Sequence, residues 1–142
     1  MSNHFEVKVK YEKVQEDGKE KKVTESYLVN ALSFTECEAR IIKEMEPFIN
    51  GEYEVVSIKR TKYESIIKST NESDDKWFKC KLNIVTVDEK TEKEKKYPLY
   101  YLVQSRNIEY ARKYIMDFIQ KTMMDCELVK LEETNIMDVY DV

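Results

Sequence analysis

The chain has 142 residues, enough for one domain or for two small halves that share a core, and 42% of them are hydrophobic. With 24 basic against 28 acidic residues the net charge is −4, so the molecule as a whole does not advertise nucleic acid or an anionic membrane. Cys37, Cys80 and Cys126 are far apart and form no Cys-x-x-Cys pair, which argues against a disulfide frame or zinc site and for buried thiols in a reducing compartment.

No apolar run approaches the ~18 residues of a membrane span, and Met1-Ser2-Asn3-His4 lacks the apolar stretch of a secretion signal. A cytoplasmic protein without membrane contact is therefore expected. From Phe5 the pattern alternates: Phe5, Val7, Val9 and Tyr11 against Glu6, Lys8, Lys10 and Glu12. Period two over this length predicts a half-buried strand. Asp17-Gly18 supplies the residues of a hairpin turn, and a second strand follows through Val23, Tyr27 and Val29.

Ser33-Phe34-Thr35-Glu36 has the Ser-x-x-Glu form of a capping box. Behind it Phe34, Cys37, Ile41, Met45 and Phe48 recur at helical spacing. Pro47 has no amide to donate, so the helix should end or kink near Glu46, closed by Asn50-Gly51. Tyr53 to Arg60 reads as a third strand. Tyr63 to Ile67 reads as a short fourth strand, or as an arm packing on the neighbouring half.

The polar stretch Lys68 to Lys76 has no periodicity, and then the pattern starts again. Tyr27-Leu28-Val29 returns as Tyr101-Leu102-Val103 and Glu20-Lys21-Lys22 as Glu94-Lys95-Lys96, both 74 residues on. Phe5-Glu6-Val7-Lys8 matches Phe78-Lys79-Cys80-Lys81, Tyr53-Glu54-Val55-Val56 matches Cys126-Glu127-Leu128-Val129, and Thr61 matches Thr134, all 73 on. Asn107 replaces Ser33 as N-cap, and the stripe Ile108, Ala111, Ile115, Ile119, Met123 falls on Phe34, Cys37, Ile41, Met45, Ile49. The expected organisation is a first strand–strand–helix–strand repeat over 1–68, a linker over 69–76 and a second repeat over 77–142, in one integrated globular unit.

One helix on three strands buries little apolar surface. The expected fold is thus α+β: two repeats packed as an internal pseudo-dimer, with antiparallel sheet or sheets and two helices on one face.

The stretches Lys22-Val23-Thr24-Glu25, Tyr27-Leu28-Val29, Ala31-Leu32-Ser33-Phe34-Thr35-Glu36, Trp77-Phe78-Lys79-Cys80-Lys81-Leu82 and Ile136-Met137-Asp138-Val139 span nearly the whole chain. In them the chain resembles a domain-of-unknown-function family of gut Bacteroidetes and their phages. The resemblance implies a bacterial or phage origin and supplies no catalytic residues.

The residues themselves give little chemistry. A nucleophile needs a poised base, usually His. The one histidine, His4, precedes the first strand and reads as a solvated terminal residue. Gly18 and Gly51 are each explained by a turn, and no Asp/Glu/His grouping has metal-ligand spacing. Asp74-Asp75 reads as a solubilising pair. No enzyme activity, cofactor or metal is expected.

Binding is the expected class, in two versions. Lys59-Arg60 in the first repeat becomes Glu132-Glu133 in the second, a charge reversal that suits recognition of a protein partner. It also suits mutual neutralisation between the repeats. The runner-up is single-stranded nucleic acid on a sheet face carrying Lys8, Lys10, Lys79, Lys81 and Tyr100. Exposed lysines also protect sheet edges from pairing, so that pattern has a plain structural explanation as well.

Overall fold

The computed structural model describes residues 3–49 and 51–141. The alternating amino-terminal segments form β1 (His4–Val14) and β2 (Glu20–Asn30), joined by a turn in which Gly18 takes a φ of 81°. That left-handed conformation is open to glycine at no steric cost. Next come α1 (Phe34–Met45), β3 (Tyr53–Arg60) and β4 (Tyr63–Ile67). The repeat then returns as β5 (Lys76–Val87), β6 (Glu94–Ser105), α2 (Ile108–Thr122), β7 (Cys126–Glu133) and β8 (Ile136–Tyr140).

The protein is α+β, with two four-stranded, mainly antiparallel sheets and two helices. The first sheet has the order β3-β1-β2-β8 and the second β4-β6-β5-β7. The final strand of each repeat does not join its own repeat's sheet. β8 pairs parallel to β2, and β4 pairs parallel to β6. Of the two sequence readings for Tyr63 to Ile67, strand and arm, the structure combines both. The compact units follow this exchange. Tyr63–Thr134 forms one continuous unit, and the residues through Lys62 form a discontinuous unit with those from Asn135 on.

The register expected from the repeat holds at the level of atoms. The backbone amide and hydroxyl of Thr61 both donate to the carbonyl of His4, at 3.1 and 2.7 Å. Those of Thr134 donate to the carbonyl of Trp77, at 2.9 and 2.8 Å. Both helix starts are capped as predicted: Ser33 Oγ accepts from the Glu36 amide at 3.1 Å, and Asn107 Oδ1 from the Tyr110 amide at 2.9 Å. Glu36 completes its side of the box one residue early, accepting from the Leu32 amide.

Each helix covers one face of its own sheet. In the discontinuous unit Cys37, Ile41 and Met45 pack on Phe5, Val7, Val9 and Val29. In the continuous unit Ala111 and Ile115 pack on Phe78, Cys80, Leu82 and Val103. The predicted stripes fail at their ends. Phe48 is 75% exposed because α1 stops at Met45, before Pro47, and the chain past it leaves the helical phase. Met123 is 90% exposed because it is the C-cap of α2, with a φ of 54° that turns it off the stripe. Phe34 and Ile108, at the first turns, are also about half exposed. Gly51, expected to help close the helix, has a positive φ, while Asn50 lies outside the described residues.

Candidate functional site

β3 and β7 are terminal strands of their sheets, and their side chains share one alternation of half-buried and exposed positions. Each carries a β-bulge at the equivalent place. Lys8 pairs with Ser57 and Val9 with Val55, so Val56 is unpaired; Lys81 pairs with Lys130 and Leu82 with Leu128, so Val129 is unpaired. A bulge bends a strand and interrupts its ladder. Val56 and Val129 are both 49% exposed.

All four residues expected to face a protein partner lie exposed at the ends of these strands: Lys59 and Arg60 on β3, Glu132 and Glu133 on β7. Their charge reversal is matched inside each sheet. Lys59 stands opposite Glu6 on β1, and Glu132 stands opposite Lys79 on β5, so strand and neighbour reverse together. The Arg60 guanidinium lies 4.9 Å from the Phe5 ring centroid and 5.9 Å from that of Phe34. Glu133 reaches Lys76 at 3.6 Å, and Glu132 reaches Lys130 at 3.4 Å.

Two grooves border β3. One, of about 650 Å³, runs along the β1–β2 hairpin and includes Lys10, Tyr11, Lys13, Phe48, Tyr53 and Glu54. The other, of about 600 Å³, lies between α1 and β3 and includes Glu38, Ile42, Val55 and Ile58.

The nucleic-acid candidates fall on both sheets. Lys8 and Lys10 are exposed on β1; Lys79 and Lys81 are half-buried on β5. Lys81 is the cross-strand partner of Tyr100, and the Lys79 ammonium sits 5.0 Å from the Tyr100 ring centroid. The structure thus brings Lys79, Lys81 and Tyr100 together, but the ring face that a base would stack on already carries a cation.

Three polar clusters escaped sequence reading. The first corrects the view of Asp74 as a solubilising residue of a linker. Residues 68–75 form a hydrogen-bonded loop between β4 and β5, and the Asp74 side chain is fully buried. Its Oδ1 accepts from Arg106 Nε at 3.0 Å, and its Oδ2 from the Tyr114 hydroxyl at 2.9 Å and from the Ser69 hydroxyl. Burial alone would raise the Asp74 pKa. The bonds from Ser69, Arg106 and Tyr114 outweigh it and hold the carboxyl below the usual carboxylate range.

The second cluster joins β1, β2 and β8. The Tyr11 hydroxyl donates to Glu25, Tyr27 approaches the same oxygen at 3.4 Å, and Tyr27 stacks on Tyr140 at 5.7 Å. Burial and then the neighbouring carboxylate push Tyr11 up to about 12 and raise Tyr27 as well. The third corrects His4, which is no solvated terminal residue. It lies buried in β1 with Nε2 2.7 Å from Asp141 Oδ1.

The thiols are free, as expected. Cys37 and Cys80 are buried, and burial pushes them up to about 11 and about 12. Cys126 departs from the expectation of three buried thiols, because it opens the edge strand β7 and is only half-buried. A thiol reagent near pH 8 should therefore label Cys126 first, with Cys37 and Cys80 reacting only as the native state opens. Mass mapping of the labelled sites over time checks this order, and prompt labelling of Cys37 or Cys80 would contradict it.

Residues 3–142 match the family described as a domain of unknown function (DUF4494), and the chain belongs to that family. No curated protein and no solved structure matches it.

Proposed function

We propose that this DUF4494 chain, of bacterial or phage origin, is a non-catalytic recognition protein that takes a protein partner along an open sheet edge. The observation that carries this reading is β3, an exposed terminal strand with one groove along it, a second at its Tyr53 end and Lys59-Arg60 at its other end. A strand added to such an edge gains main-chain hydrogen bonds, and its alternate side chains enter flanking depressions that give specificity. Ile42, Val55 and Ile58 offer the α1 groove an apolar lining, and the basic end favours an acidic residue in the partner.

A photo-cross-linker placed at Val56 should trap a protein in the native lysate, and K59E/R60E should abolish the product. The same probe at Val129 on β7 is the control. Trapping that is equal from both positions and indifferent to K59E/R60E would dismiss the reading.

Lys79, Lys81 and Tyr100 favour the second reading, single-stranded nucleic acid. If both lysines met phosphates, log K would fall with log salt at a slope of about −1.4, some 0.7 per contact. Anisotropy of a labelled oligonucleotide at two salt concentrations measures it. Absence of low-salt binding removes this version and leaves the protein partner.

A further inference from the structure

The chemistry of β3 names one partner that fits its edge: another β3. We propose that β3 pairs antiparallel with β3 of a second copy about a two-fold axis between Val56 and Ser57. This rests on the strand-addition reading above and specifies its occupant.

The bulge makes the pairing symmetric. An unbroken strand alternates faces, so a two-fold between neighbouring residues would set a side chain of one face opposite one of the other. Here Tyr53, Val55 and Ile58 pack toward α1, and Arg60 joins them over the Phe5 and Phe34 rings. Glu54, Ser57 and Lys59 share the opposite face, since their β1 partners are Lys10, Lys8 and Glu6. The extra residue, Val56, reverses the phase at mid-strand, and the pattern of faces reads alike in both directions.

The side chains match in the same register. Glu54 of each copy meets Lys59 of the other, twice over. Tyr53 meets Arg60, and Val55 meets Ile58. Each is a favourable cross-strand combination. β7 supplies the contrast, because the same operation there sets Glu127 opposite Glu132 twice. Like charges placed directly opposite repel. Edge charges that normally deter pairing thus admit one partner at β3 and refuse the equivalent one at β7. The contact is isologous, so it closes at a dimer.

Analytical ultracentrifugation of the intact chain across a concentration series is the test. Wild type should sediment as a dimer at high concentration. E54K and K59E each replace two attractive pairs by two repulsive ones and should weaken dimerisation roughly tenfold or more. An equimolar mixture of the two variants should dimerise again. In the mixed dimer the two substituted side chains face each other as an opposite-charge pair, and the unchanged Lys59 of the E54K copy faces the unchanged Glu54 of the K59E copy. That recovery excludes misfolding as the cause of the loss. E132K, which turns the Glu127–Glu132 combinations on β7 into opposite-charge ones, should not weaken the association. A wild type monomeric at every concentration, or a dimer indifferent to E54K and K59E, overturns the proposal. Strand addition by a different protein would still survive if cross-linking from Val56 traps one.

Discussion

Deleting residues 135–142 is expected to unfold the amino-terminal sheet, not the carboxy-terminal repeat to which those residues belong in sequence. β8 lies on β2, in the unit built from the residues through Lys62. Its Ile136 and Val139 are buried, and burial of two such side chains is worth roughly 3–6 kcal/mol. The deletion also takes away Tyr140 from the Tyr27 ring and Asp141 from His4. It leaves β2 as a bare edge. Set against a net stability of about 5–15 kcal/mol for a typical domain, the loss is large. The sole tryptophan, Trp77, belongs to the continuous unit and gives it a separate optical signal. Hydrogen exchange read by mass spectrometry should show protection lost first across β1 and β2. Peptides from β5 and β6, with Trp77 fluorescence, should stay nearer to native. Protection lost first in β5 and β6 would mean that β8 supports a different sheet.

This exchange of strands is where sequence reading stopped. β1 and β5 are long, with alternation from Phe5 to Glu12 and from Phe78 to Ile84, and the caps at Ser33 and Asn107 are local signals, so the main elements could be placed from the pattern alone. β4 and β8 have only five residues each, and their partners β6 and β2 lie far away in sequence. Composition shows that such a segment is a strand, not whose sheet it joins. The edges became visible only with strand order. Lys59-Arg60 and Glu132-Glu133 stand out as a charge reversal in sequence. Their matching by Glu6 and Lys79 depends on register. The burial of His4 and Asp74 is not legible in the sequence for one reason: each sits in a polar or terminal stretch, and each meets a partner distant in the chain, Asp141 and Arg106.

Asp74 gives the second large effect. Asp74→Ala should cost roughly 2–4 kcal/mol, because three hydrogen bonds to one buried carboxylate disappear together and bonds to charged groups are worth ~1.5–3 kcal/mol each. The cost stays below the simple sum of about 4.5–9 kcal/mol, since coupled bonds are not additive and the Arg106 guanidinium is partly exposed and can turn to water. For a chain of this size the melting temperature should fall by about 10 °C. The loss should be local at first. Ser69, Asn71 and Ser73 hold the loop through Asn71 and Asp74, and Arg106 and Tyr114 hold it to the start of α2. The pH dependence separates this carboxylate from a merely well-packed residue. Its folded pKa lies below the unfolded value of about 3.9, so its contribution is fully present above that value. The contribution is lost as pH falls through the folded pKa. Asp74→Asn keeps the shape without the charge, so wild type and this variant should differ most near neutral pH and converge in acid below about pH 4. Chemical denaturation followed at Trp77, repeated from pH 7 down to pH 3, measures both quantities. A constant gap between wild type and Asp74→Asn over that range would mean that the charge contributes nothing and that Asp74 serves only by its shape.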